Sequence, residues 1–264
     1  MTEINTVPEH YLGVWQRKHL ESPSGVDNSS RVYWLQTSLF HADIRIPADR
    51  PNFRGRKSLH DFSAEELKLL ASQQGFAGTT SVTGNYCQWS HHMDYQPRRD
   101  KPDIGFMQFS GTRILETGIA NDYAEIWEQL PDSRGETFAL RFEEDNTTYP
   151  VGKPQSGILV VSGDYFIYAR ERKVSLPPAA SLNALLTETG PDKQQLIELL
   201  DFEISFGRVA HGSASWEILL STLPFREGEA LFTETTWTMI ARAKNGCIQH
   251  EHAWNGIITR RWLP

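Results

Sequence analysis

Between residues 76 and 170 the chain reads as one strand after another, and this punctuation limits the fold more than any other feature. Strand-like runs at 76–83, 84–95, 103–109, 112–119, 123–130 and 137–144 are broken by Gly111, by Asn121-Asp122 and by the stretch Asp132 to Gly135. Residues 157–172 predict a hairpin: ILVVS leads into Gly163-Asp164 and YFIYARE leads out, with glycine at the first loop position as a type II′ turn requires. Further strands are predicted at 201–209, 214–222, 235–243, 247–254 and 256–263, and Asn245-Gly246 is the strongest hairpin turn signal in the chain. Strands met in sequence order and joined by short turns form an antiparallel meander. A meander of about ten or more strands curls and closes, because closure removes its exposed edges.

Residues 31–46, RVYWLQTSLFHADIRI, form the longest strand candidate. Val32, Trp34, Phe40, Ala42, Ile44 and Ile46 share one parity, and Tyr33, Thr37, His41, Asp43 and Arg45 share the other. Pro47 ends the run, because proline donates nothing to a sheet ladder. A basic, proline-containing loop follows over 47–62. Ser63 and Glu66 then form a capping-box pattern that predicts a short helix over about 63–74, stopped by Gly75. Leucines at helical spacing predict two more short helices within 181–200, separated by Gly190-Pro191, with Asp192 near the start of the second. The fold class is therefore all-β and mainly antiparallel: one barrel over 1–264 with two helical insertions. The stretch 174–200 is the one place where an internal boundary fits.

Of the 264 residues, 39% are hydrophobic and 22% charged, which is the balance of a folded globular chain. The net charge of -7 and the scattered lysines and arginines leave no basic face for nucleic acid. No signal-peptide pattern opens the chain, and no apolar run is long enough to span a membrane as a helix. The two cysteines, Cys87 and Cys247, both fall in strand-like segments and read as small buried hydrophobes. The expected setting is a reducing cytoplasm. P-loop, GxGxxG, GxSxG and HExxH patterns are all absent, and no organic cofactor is expected.

Gly13-Val14-Trp15 near the start and Arg260-Arg261-Trp262 near the end carry a resemblance. A Trp after a Gly on the first strand, met by an Arg from the last, resembles the calycin superfamily of lipocalins, fatty-acid-binding proteins and their cytosolic relatives. In that superfamily the guanidinium stacks on the indole and closes the barrel. The resemblance implies a lipocalin-like cup, sealed by Trp15 with Arg260 or Arg261, around a cavity for a small, mostly apolar molecule. Some cytosolic members bind haem, and others act as isomerases or cyclases.

Three groups of residues are candidates for chemistry. His41, Asp43 and Arg45 alternate on one strand and so share a face. Trp89, His91 and Met93 share a face of a second strand, and Gln88, His92 and Asp94 its opposite; Glu116, Tyr123, Glu125 and Trp127 lie on neighbouring strands. If these faces turn inward, histidines, carboxylates and an arginine converge among aromatics and permit acid–base work. If they turn outward, they are the polar face that any half-buried sheet has. His250 and His252 share one side of a strand beside Trp254. They are two metal-type ligands without a third at local spacing, so a pocket-lining or solvent-facing role is expected.

Two functions fit. The first is a barrel that binds a small hydrophobic or aromatic molecule, contacted by Tyr33, Trp89, His91, Tyr123, Trp127, His250 and His252. The second is a cofactor-independent enzyme of the isomerase, cyclase, dehydratase or decarboxylase type. In it His41 or His92 is the acid–base group, Asp43 or Glu116 the orienting carboxylate and Arg45 an anion clamp. An inward histidine with a carboxylate in hydrogen-bond reach separates the two. In either case the partner is a small molecule, with no nucleic acid and no membrane, and a homodimer is compatible.

Overall fold

A computed structural model describes residues 6–98, 100–145, 155–209, 216–232, 247–253 and 256–263. The alternation seen in the sequence becomes two antiparallel sheets. The first contains β1 (Gly13–Ser22), β2 (Gly25–Asp27), β3 (Arg31–Gln36), β4 (Phe40–Ile46), β5 (Gln74–Thr83), β6 (Tyr86–Asp94), β7 (Asp103–Ser110), β8 (Arg113–Gly118) and β9 (Ala124–Gln129). Strand follows strand in the order β1-β3-β4-β5-β6-β7-β8-β9, and β9 pairs back onto β1. The result is a closed eight-stranded barrel, with β2 a short outer strand on the flank of β1.

The second sheet follows β9 across residues 130–136. It contains β10 (Thr137–Asp145), β11 (Ser156–Ser162), β12 (Tyr165–Arg170), β13 (Glu203–Arg208), β14 (Glu217–Ser221), β15 (Cys247–Ala253) and β16 (Gly256–Leu263), in the order β14-β13-β12-β11-β10-β16-β15. The expected single barrel of ten or more strands is thus an eight-stranded barrel plus a separate sheet. Eight strands already bring the inner side chains into contact, so closure needs no more. The strand carrying Arg260 and Arg261 pairs with β10 and β15, not with β1. The seam at Trp15 is instead closed by Gln129 of β9.

The helices follow their caps. In α1 (Ala64–Leu70), Ser63 and Glu66 make the reciprocal capping box, but the helix stops at Ala71 and Gly75 sits inside β5. Gly190 ends α2 (Leu182–Thr189) in the left-handed region, and Asp192 caps α3 (Lys193–Leu200). At the β11–β12 turn Gly163 has φ +55° while Asp164 stays negative, as a type II′ turn requires.

The two sheets share one core. Leu35, Ala42 and Ile44 on the outer face of the barrel pack with Ile158, Val160, Ile167 and Ile204 of the second sheet, and with the leucines of the helices. The barrel interior holds a separate cluster built on Trp15, Trp34, Trp89, Trp127, Phe76, Cys87 and Met107. The Cys87 thiol is free and buried. Among the described residues no helix is long and apolar enough to cross a membrane.

The segment 31–46 is not one strand. A tight turn at residues 37–39 separates β3 from β4, and Trp34 then stands opposite Asp43 and Gln36 opposite His41. The turn resets the parity. Trp34 and Asp43 point into the barrel, while Tyr33 points out and stacks on Phe206 at 4.2 Å.

Candidate functional site

One end of the barrel is sealed by aromatics. The Trp15 indole donates to Tyr11 O at 2.8 Å and stacks on Trp34, and Phe109 meets both Tyr11 and Trp15 edge-on. Above them Trp34, Trp89 and Trp127 leave a cavity of about 10 Å³, which is room for a single water. The other end is open, a cleft of about 480 Å³ lined by Arg45, Phe76, Asp103, Tyr123 and Glu125 among others.

Charged side chains fill the layer between the tryptophans and the mouth. Glu125 accepts from Arg17 Nη1 at 2.8 Å and lies 3.5 Å from Arg45 Nη1. The other branch of Arg17 reaches Asp27. Arg45 forks onto Asp43 through Nε at 2.8 Å and Nη2 at 3.3 Å. Burial pushes the Asp43 carboxyl up, against the pull of Arg45. Arg45 therefore holds Asp43 in place and lies beside Glu125, and it also lines the open cleft.

Glu116 stands directly opposite Glu125 across the β8–β9 ladder. Its Oε1 lies 2.7 Å from the Tyr123 hydroxyl, and its Oε2 accepts from Trp127 Nε1 at 2.9 Å. Burial, and then the facing Glu125, push its pKa up to about 8. Gly105 makes room for it, since a Cβ there would stand 2.9 Å from Glu116 Cγ and Oε1. Tyr123 is itself raised by burial and by Glu116.

Two histidines enter the barrel by different routes. His91 gives Nδ1 to Asp94 at 2.8 Å and Nε2 to Asp103 at 3.0 Å, and stacks on Phe76 at 3.8 Å. Burial alone would depress it, but the two carboxylates overcome that and raise it to about 9, so it is an imidazolium with both N–H groups engaged. His41 is fully buried. Thr80 Oγ1 spends its one proton on Gln36 Oε1 at 2.8 Å, so it accepts from His41 Nδ1 at 2.9 Å and Nε2 carries a bare lone pair. Burial, reinforced by His91, lowers His41 to about 3. It is neutral, it has no carboxylate neighbour in hydrogen-bond reach, and it does not fit the acid–base role.

The interior gathers His41, Asp43, Arg45, Trp89, His91, Glu116, Tyr123 and Trp127. Tyr33 and His92 fall outside it. A bulge sits between the Ala77–Met93 and Gly78–His91 pairs; it turns Met93 to the outer core and leaves His92 exposed, 3.4 Å from Thr79 Oγ1. The bulge requires Gly78, where a Cβ would lie 1.8 Å from Ser90 O. His250 and His252 occupy alternate positions on β15, an edge strand of the second sheet, and Trp254 lies outside the described residues. Sequence reasoning missed Arg17, Asp27, Asp103 and Phe76. For Arg17 a signal existed: it is two residues past Trp15 and so shares its inward face. Among the described residues no group of three or more His, Cys, Asp or Glu side chains could hold a metal ion.

Comparison with protein-family models, with curated proteins and with solved structures finds no match to this chain.

Proposed function

We propose that the barrel mouth is the site of a cofactor-independent acid catalyst, of the isomerase or dehydratase type, acting on a small neutral or cationic polar molecule. The observation that carries this reading is Glu116. It is a carboxyl raised to about 8, and it is joined by the Tyr123 hydroxyl to a cleft open to solvent. Two facing carboxyls in different environments divide the labour. Glu125 is paired with two arginines, while Glu116 keeps its proton at neutral pH. Tyr123 gives its proton to a substrate oxygen and takes the Glu116 proton in return. The resulting Glu116 carboxylate accepts from Trp127 Nε1, 2.9 Å away. The same relay run backwards carries the proton lost by the substrate carbon to Glu116, which restores the acid. Phe76 offers an apolar wall.

The charge of the layer selects the substrate. Asp27, Asp43, Asp94, Asp100, Asp103 and Glu125 face Arg17, Arg45, His91 and Lys101, an excess of carboxylates that disfavours anions. A calycin-like ancestry is supported by the meander that closes on its own first strand. A hydrophobic ligand held inside, the other function the sequence allows, has about 10 Å³ available among the tryptophans.

The test is solvent exchange in D2O, followed by proton NMR with a panel of hydroxy ketones, polyols and amino alcohols. Deuterium incorporation or elimination by the native protein, lost in both Glu116→Gln and Tyr123→Phe, supports the proposal. Turnover that both variants retain rejects it.

A further inference from the structure

A second cleft, of about 660 Å³, lies apart from the barrel mouth. Its walls are the loop after β4, the start of β3 and the turn Pro224–Glu229 that follows β14. Gly55 and Gly228, at φ +85° and +86°, let both loops bend around it.

Five cationic side chains line this cleft: Arg31, Arg50, Arg54, Arg56 and Lys57. Arg50 is the fixed base. Its side chain is 4% exposed, and it is held by Ser221 O at 2.7 Å, Gln73 Oε1 at 3.1 Å and Glu227. Its Nε, also buried, has no partner. Arg56 is paired with Glu66. Arg31, Arg54 and Lys57 have no carboxylate partner among the described residues, and one further acid, Glu229, faces them. In a chain of net charge -7 such a concentration of unspent cations is local. It suits an anion the size of the cleft and not an extended polyanion, which needs a basic face.

We infer that this cleft binds a small phosphate-bearing molecule, gripped by the guanidinium forks of Arg31 and Arg54 and the ammonium of Lys57. Planar forks beside a point charge match the several oxygens of a phosphoryl group, and a cleft of this volume admits a small organic body beyond the phosphate.

The test is calorimetric titration of the full chain with inorganic pyrophosphate at low and moderate salt. The native protein gives saturable binding that weakens as salt rises. Arg54→Glu with Lys57→Glu, both on exposed loop positions, weakens it at least tenfold, and Arg31→Gln weakens it without reversing a charge. The charge-matched control Lys18→Glu with Arg113→Glu, on the barrel wall, leaves it within twofold. Absence of saturable binding overturns the inference. So does native affinity in Arg54→Glu with Lys57→Glu, or an equal loss in the control.

Discussion

Replacing Glu116 with glutamine makes the protein more stable at and above neutral pH, by an amount that depends on pH in a defined way. Glutamine keeps the size and both contacts, with an oxygen toward Trp127 Nε1 and an amide toward the Tyr123 hydroxyl. What it removes is the cost of keeping a carboxyl neutral. Glu116 titrates near 8 when folded against an ordinary 4.5. Below pH 4.5 both states hold the proton and the group contributes nothing. As pH rises, the unfolded chain loses the proton while the folded chain keeps it, so native stability falls until about pH 8 and is flat beyond. At about 1.36 kcal/mol per pH unit the penalty is about 3 kcal/mol at pH 7 and about 5 kcal/mol above pH 8. An imperfect amide contact subtracts a constant of about 1 kcal/mol. Urea unfolding of both proteins at half-unit steps from pH 4.5 to 9 reads the difference directly. Across that range the variant moves from about 1 kcal/mol less stable than the native protein to several kcal/mol more stable. A difference that does not change with pH refutes the reasoning, because it means that Glu116 ionises as an ordinary carboxyl.

Three further outcomes follow from the same layer. Arg17→Met leaves the 2% exposed Glu125 carboxylate with only Arg45 at 3.5 Å, and costs about 3–5 kcal/mol in denaturant unfolding; a loss under 1 kcal/mol contradicts the pairing. Gly78→Ala drives a Cβ into Ser90 O, costs at least about 2 kcal/mol in thermal or chemical unfolding, and lowers the His91 pKa read by NMR as the bulge opens. His91 is raised from 6.5 to about 9, so its stabilising contribution is complete below pH 6.5 and is lost as pH rises through 9; His91→Gln flattens the stability profile in that window.

The fold was legible where chemistry is local. Capping residues Ser63 and Asp192, the Gly190 break and the Gly163-Asp164 turn all lie in short stretches of chain, and each sets its own element. Antiparallel closure was legible from the meander. The division into a barrel and a second sheet was not, because which strand pairs with β1 depends on contacts more than 100 residues apart, as at Trp15 and Gln129. Alternation placed His41, Asp43 and Arg45 on one face correctly. It failed at Tyr33 and Met93 for a single reason: a turn at 37–39 and a bulge beside Gly78 each shift a period-2 pattern by one, and one shift exchanges inside for outside. Asp103 went unseen because its role comes from His91 on another strand, whereas the inward face of Arg17 could be read from its spacing to Trp15 and only its pairing with Glu125 could not.

Infrared difference spectroscopy shows whether the barrel mouth keeps a protonated carboxyl at neutral pH. The carbonyl stretch of a protonated carboxylic acid, recorded across a pH titration of the native protein and of Glu116→Gln, isolates this one group. The expected result is a band still present at pH 7, bleaching with a midpoint near 8 and missing from the variant. A band that has gone by pH 6, or one that the variant keeps, contradicts it.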